Sequence, residues 1–493
     1  MNQSKAYTIF GRQVSYVVLS NIIILVLGVI QIPIVTKSLG TSLYGTWSLI
    51  GVTTTLIIPF STLSFGMSIV RFLAVEKDKD KVREDFFSAL SLVFIVGVVF
   101  SLLIFLLSGV IATYILQDST QAIYIKISSV LVLLNSLFTV LLAFFRRGSY
   151  IGIFTLLNFS SNVLNFVLII LFILAGYGLT GILWATVISI TVLSIIALAL
   201  IIKQLGYKPP RFSNMKPYLS WGIPLTPNTL VNWVMQASDR YLLGYFMGVS
   251  AVGIYNVAAS IGSYSSFVWP PLSIVLYPVV SKTYDEGNRE ECSNYFRYSF
   301  KYLMMITIPA TFGLSILARP LLQILTTPEF FSGSSVVWLI ALGTLLHAFH
   351  QICSFIFHLV GKTQVILRLL IIAAVLNVIL NVILIPRLGI LGAGIASVSS
   401  YAVLGVITPL ITQRYFKFDF DILFILKSLT GSAIMATCIW LLKPESLLMV
   451  VVSVVLGVIV YFAVLIILRG FTKTEIGFLK QTLKGTQSEK TDS

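Results

Sequence analysis

The chain has 493 residues, of which 57% are hydrophobic and only 10% charged, and its mean hydropathy is +0.98. Repeated apolar runs of about 20 residues match the thickness of a bilayer core, which excludes a soluble globular protein and points to a polytopic membrane protein. Runs such as LSLVFIVGVVFSLLIFLLSGVIA do not alternate polar with apolar residues, so a spanning β-barrel is excluded and the fold class is all-α.

In chain order the apolar runs predict about 14 transmembrane helices, near residues 14–36, 43–67, 86–114, 122–145, 149–175, 181–202, 219–246, 251–279, 301–323, 335–360, 365–386, 390–412, 424–442 and 447–468. The first follows a short polar arm, is too long for a signal-peptide core and precedes no small-residue cleavage site, so it is expected to stay as a span. The longest connections, RFLAVEKDKDKVRED and SKTYDEGNREECSNYFRYSFK, mix charges and read as solvated cytoplasmic loops with amphipathic ends. No loop is large enough for a catalytic domain, and there is no HExxH, Walker-A loop, GxSxG or acidic metal cluster, so no enzyme is expected. Cys292, Cys353 and Cys438 are far apart in sequence and form no CxxC or Cys/His pattern, so neither a disulfide framework nor a metal is expected.

The net charge of +15 would suit a nucleic-acid partner if the bases clustered, but they are scattered through loops. With the N-terminus inside, 27 of the 33 Lys and Arg residues fall on cytoplasmic segments. That bias predicts an N-in, C-in topology and accounts for the charge without nucleic acid.

The seventh span contains an acid and a base side by side, Asp239 and Arg240, in VNWVMQASDRYLLGYFMGVSAVGIY. Asn228, Asn232, Gln236 and Asp239 are spaced 4, 4 and 3, which puts them on one side of a helix, whereas Arg240 points about 100° away from Asp239. Pro224 and Pro227 could bend or unwind the entry to this span. One reading aims the stripe and its charges into a cavity. The other lets Arg240 snorkel to the far interface while Asp239 bonds a neighbour. The tenth span carries a second stripe, His347, His350, Gln351, Ser354 and His358, which includes every histidine of the chain. It suits either a proton relay or sugar-binding wall, or polar packing between helices.

Three segments recur at a nearly constant offset. LGTSLYGTWSL resembles MGVSAVGIYNV, pairing Gly40 with Gly248, Ser42 with Ser250, Gly45 with Gly253 and Trp47 with Tyr255. Val163-Leu164-Asn165 matches Val375-Leu376-Asn377, and Gly178, Gly181 and Ala185 match Gly389, Gly392 and Ala396. Offsets of 208 to 212 predict two six-helix lobes in parallel orientation. The expected organisation is an N-terminal lobe at 1–202, a cytoplasmic linker at 203–218, a C-terminal lobe at 219–412, two appended helices at 413–468 and a polar cytoplasmic tail at 469–493.

The segments SDRYLLGYFMGVSAVGIYNVA, IPIVTKSLGTSLYGTWSL and SIVRFLA resemble the polysaccharide-exporting branch of the multidrug/oligosaccharidyl-lipid/polysaccharide flippase superfamily, and the similarity covers nearly the whole chain. The resemblance implies a V-shaped pair of lobes in the cell membrane that opens alternately to either face. It also implies turnover of a polyprenyl-diphosphate-linked oligosaccharide, and leaves open whether H+ or Na+ resets the cycle. The expected partners are that substrate, membrane lipids and a polysaccharide polymerase or assembly protein. Arg71, Arg146 and Arg147, near the cytoplasmic mouth of the first lobe, become diphosphate-binding candidates, because guanidinium groups bind phosphate oxygens in a planar fork. Positive-inside topology alone would also place them there. The closest rival is a drug/cation antiporter of the same superfamily, which would need more acidic residues in the spans than the single clear carboxylate, Asp239.

Overall fold

A computed structural model describes residues 3–146 and 150–471, with side chains from Tyr16 onward. Arg147, the side chains of Lys5 and Arg12, and the tail beyond 471 therefore lie outside the described residues. Among the described residues there are α- and 3₁₀-helices and no strand, as a bilayer demands of a chain whose backbone groups must be satisfied within each segment. The α-helices are α1 (Gln3–Ser61), α2 (Phe65–Val75), α3 (Lys79–Leu106), α4 (Ser108–Tyr114), α5 (Ala122–Phe145), α6 (Ile151–Leu174), α7 (Gly178–Leu205), α8 (Met215–Gly222), α9 (Thr226–Met247), α10 (Val249–Ser263), α11 (Trp269–Asp285), α12 (Arg289–Leu325), α13 (Ser334–Leu359), α14 (Thr363–Leu388), α15 (Ile390–Tyr415), α16 (Ile422–Leu442) and α17 (Leu447–Ile467).

Eleven helical stretches among the described residues are long and apolar enough to cross a membrane, so the protein is a multi-pass membrane protein. The difference from the fourteen expected has three physical sources. Tyr16–Ser61 counts as one stretch of 46 residues, yet at 1.5 Å per residue it would run about 69 Å, more than twice the ~30 Å of a hydrocarbon core. It breaks at Gly40, whose φ of 67° and ψ of −176° are not helical, between the first and second expected spans. α9 is long enough at 22 residues, but its Asn, Gln, Asp and Arg residues lower its hydropathy. The eighth expected span is divided by a 3₁₀ turn at Tyr264–Val268. There Pro270 and Pro271 open α11, because proline lacks the donor that would continue the preceding helix.

The chain packs as two units. Of the described residues, unit 1 holds those within 3–258, 325–336 and 364–400, and unit 2 those within 259–324, 337–363 and 401–471. In unit 1 the repeated glycines do the same local work in both repeats. Gly40 and Gly248 turn the chain at φ of +67° and +85°, and Gly178 and Gly389 do so at +51° and +61°, conformations that cost a residue with a Cβ about 1–2 kcal/mol. The segment joining α7 to α9 is fastened to the start of α3. Lys208 pairs with Glu84 at 2.7 Å, Arg83 Nε donates to Leu205 O at 2.6 Å, and the Arg211 amide donates to Ser88 Oγ at 2.7 Å. Tyr218 donates to the buried carboxylate of Asp85 at 3.0 Å. Burial and the neighbouring Asp85 raise the Tyr218 phenol well above its ordinary range, which keeps it a donor.

In unit 2 the loop expected before residue 301 is instead the first turns of α12. Cys292, Phe296 and Phe300, spaced by four, form a buried stripe there. They pack on Phe416, Phe418 and Phe420, with Phe300 and Phe420 rings 5.0 Å apart. The expected amphipathic end is thus helix from Arg289 onward, which leaves only residues 286–288 between α11 and α12.

Candidate functional site

Unit 1 holds a cavity of about 590 Å³ walled by the second stretch of α1, by α9 and by α10, with Trp47, Ser48, Val52, Thr55, Asn232, Trp233, Gln236, Arg240 and Asn256 among its lining residues. The aromatic walls are held in place. Trp233 donates its indole N–H to Val52 O at 2.9 Å and lies 5.6 Å from the Tyr241 ring, whose hydroxyl meets Thr53 Oγ1 at 2.5 Å. Trp47 packs edge-on to Tyr44 at 5.4 Å.

Arg240 supplies the charge of this wall, and no Asp or Glu is among the lining residues. Its Nε donates to Asn256 Oδ1 at 2.9 Å and its Nη1 to Gln236 O at 2.5 Å, so the planar fork is oriented by two neutral acceptors. Its partner in charge, Asp239, is only 3.8 Å away.

Asp239 itself is not among the lining residues and is 5% exposed. One carboxylate oxygen accepts the Arg240 amide at 2.8 Å, and the other accepts the hydroxyl of buried Tyr255 at 2.5 Å. Ser397 bonds the same phenol. Next to Asp239, Ser238 donates to Asn377 Oδ1 at 3.2 Å, and Asn381 donates to that oxygen at 2.9 Å. Asn377 Nδ2 and Asn381 Oδ1 are left buried without partners. Exchanging oxygen and nitrogen on both amides leaves the same surplus, one donor and one acceptor. Two orphaned amide atoms in residues 1% and 0% exposed are expensive unless something else satisfies them.

The structure brings two of the predicted stripe residues together with a neighbour the periodicity set apart. Asn232, Gln236 and Arg240 share the cavity wall, while Asn228 is exposed and accepts from Asn232 through its carbonyl at 2.9 Å. The helical angle between Asp239 and Arg240 holds, but the long arginine side chain bends back alongside its own helix to pair with Asp239 and Gln236. In unit 2, His350 Nδ1 bonds Thr408 Oγ1 at 2.8 Å, and His347 stacks on His350 and meets the tilted Tyr401 ring at 4.8 Å. Ser354 bonds its own helix at Gln351 O, and His358 is exposed beside Phe355. Arg71 is exposed and lies over the Trp221 ring at 4.9 Å and the Phe72 ring at 5.7 Å. Arg146 lies over Phe154 at 5.7 Å.

Ser48, Thr55, Trp233 and Asn256 were not among the residues singled out from sequence, and Trp47 was named only as the repeat partner of Tyr255. A signal for the first group exists: Trp47, Gly51 and Thr55 recur every four residues, a small and polar stripe in an otherwise aliphatic span.

Residues 10–284 match the sequence profile of the polysaccharide biosynthesis protein family, and residues 224–383 match the MatE profile. The probable low-salt glycan biosynthesis flippase Agl15 of Haloferax volcanii is 25% identical over 271 residues, covering 54% of this chain and 57% of that protein. The probable lipid II flippase MurJ of Rickettsia prowazekii is 24% identical over 277 residues, covering 50% of this chain and 53% of that protein. The chain thus spans little more than half the length of these relatives. In fold, it is similar to the lipid II flippase MurJ in an inward closed conformation, with a TM-score of 0.76 at 16% identity over 92% of this chain and 98% of that one. It is also similar to an inward-facing multidrug resistance MATE family transporter of the MOP superfamily, with a TM-score of 0.67 at 19% identity over 80% of this chain and 97% of that one.

Proposed function

The chain belongs to the polysaccharide biosynthesis protein family, and from that premise we propose that it flips a polyprenyl-diphosphate-linked oligosaccharide from the cytoplasmic to the outer leaflet by alternating access, for cell-surface polysaccharide or glycoconjugate synthesis. The observation that carries this reading is a cavity wall with one guanidinium, Arg240, and no carboxylate. Such a wall favours an anionic headgroup, since arginine binds phosphate oxygens in a planar fork. Trp47 and Trp233 offer apolar ring faces to sugar carbons, and Asn232, Gln236 and Asn256 can exchange hydrogen bonds with hydroxyls.

In this account Arg71, Arg146 and Arg147 meet the diphosphate at the cytoplasmic mouth, and the topology is N-in and C-in. Each negative charge carried outward then gains about 2.3 kcal/mol per 100 mV of membrane potential. The cycle is reset by a cation, H+ or Na+, acting at Asp239. The neighbouring buried acceptor without a partner, Asn381 Oδ1, supports this, because a carboxylate with an amide oxygen is a hard donor set.

The match to the MatE profile and the MATE-like fold favour a second reading, a cation-coupled drug antiporter. Deleting the gene separates the two. Lipid-linked oligosaccharide that accumulates on the cytoplasmic face, shielded from an impermeant sugar probe in intact cells but reached in opened vesicles, supports the flippase. Normal glycan export with heightened sensitivity to cationic drugs supports the antiporter.

A further inference from the structure

We propose that Gly45 and Gly253 form a crossing of bare backbone that shuts one end of the unit 1 cavity, and that this end opens by separating the two helices at that point. The proposal rests on the alternating-access reading but not on which substrate is carried.

Gly45 lies so close to α10 that a Cβ built on it would overlap the carbonyl oxygen of Val249, and a Cβ on Gly253 would overlap the carbonyl oxygen of Thr41. The offset of 208 that relates the repeats carries Thr41 to Val249 and Gly45 to Gly253. The two overlaps are therefore one contact seen from either side of a local pseudo-twofold axis. The turns leading into it, at Gly40 and Gly248, obey the same offset and share a positive φ. A contact built twice by the same residues constrains both glycines at once, because either Cβ alone would hold the helices apart.

Its position makes it a closure rather than ordinary packing. Trp47 and Ser48 begin the cavity wall within one helical turn of Gly45, and Asn256 does so within one turn of Gly253. The crossing thus lies next to the end of the cavity at which both helices begin its wall. Gln117 Nε2 donates to Tyr245 O at 3.2 Å, Thr41 Oγ1 to Glu329 at 3.3 Å, and the Tyr44 ring meets Phe330 edge-on at 5.9 Å. Backbones in direct van der Waals contact hold together without interhelical hydrogen bonds, as in small-residue crossings of membrane helices. Such a joint closes only when no side chain intervenes.

The test is a distance measurement on the full chain. Ser42 and Ser250 are exposed, flank the crossing and are themselves repeat partners. Spin labels on Ser42→Cys and Ser250→Cys, in a background with Cys292, Cys353 and Cys438 replaced, report the closed state as a short-distance population. Gly45→Ala and Gly253→Ala are each expected to lower that population by about tenfold or more, the scale of overpacking by one methyl, and to do so alike. Gly109→Ala, where a Cβ meets open space, is the control and is expected to leave it unchanged. An unchanged short-distance population in both alanine variants, or an equal loss in the control, overturns the proposal. A second readout needs no glycine variant: a cleavable cross-link between the two introduced thiols is expected to stop transport until it is cleaved. Transport that continues through the cross-link also overturns the proposal, whatever the substrate.

Discussion

Asp239 can be replaced in two ways that separate holding the fold from coupling transport to a cation. Its carboxylate accepts from Tyr255 at 2.5 Å and from the Arg240 amide at 2.8 Å, with the guanidinium 3.8 Å away. Asp239→Ala leaves a phenol that is 1% exposed with only Ser397 beside it and removes the arginine's counter-charge. Breaking a buried pair in this way costs about 3–5 kcal/mol. The lower end applies here, because Arg240 keeps Asn256 and Gln236 O. Asp239→Asn also removes the counter-charge, but it keeps an acceptor for the Arg240 amide and, with Tyr255 turning its hydroxyl toward Ser397, places an NH₂ against the phenol oxygen, a loss of about 1–2 kcal/mol. The asparagine variant is thus expected to purify and unfold nearly as the parent does, and the alanine variant markedly earlier. In proteoliposomes the flipping rate of the asparagine variant should lose its dependence on Na+ and on pH. An asparagine variant that is stable and keeps the parent's full cation dependence refutes the assignment of coupling to Asp239.

Arg240→Lys retains the charge but not the fork held by Asn256 and Gln236, so affinity for a polyprenyl diphosphate, measured by titration in nanodiscs, should fall by roughly 10- to 150-fold, equivalent to about 1.5–3 kcal/mol. Tyr218→Phe leaves the 2%-exposed carboxylate of Asp85 without its phenol donor and should lower stability by about 1–3 kcal/mol, read as an earlier thermal transition. The hydrogen bond and charge of Lys81 hold the Glu76 carboxyl below its usual range. Its contribution to the loop is therefore present above the ordinary carboxylate pKa and lost as pH falls through the lowered value. Amide exchange at Lys77 and Asp78, whose N–H groups donate to Glu76 Oε1 at 3.0 and 3.2 Å, should accelerate only in that acidic window.

Much of the fold was legible because hydrocarbon imposes length and apolarity on each span, and because the repeated glycines mark turns that only they make cheaply. Where the sequence misled, polarity and proline were the reasons. Residues 289–300 contain enough charge to read as loop, yet a stripe of Cys292, Phe296 and Phe300 buries them as helix. Trp269-Pro270-Pro271 interrupts a span that hydropathy alone runs straight through. At the candidate site, helical periodicity found Asn232 and Gln236 but placed Asp239 on their face and Arg240 off it, because it tracks Cβ directions and not the reach of a six-atom side chain. The pairing of α9 with Asn377 and Asn381 was not legible, since residues about 140 positions apart meet only through tertiary packing.

The central claim is that the Arg240 cavity carries a diphosphate-linked glycan across the bilayer. Its most direct test is reconstitution of the purified protein in sealed liposomes containing a fluorescent lipid-linked oligosaccharide, with an impermeant reagent reporting the outward-facing sugar over time. The account predicts protein-dependent transfer of the inner-leaflet pool, with Arg240→Ala reducing the rate by at least about tenfold while the protein remains folded. Transfer no faster than in empty liposomes, or a rate untouched by Arg240→Ala, would contradict it.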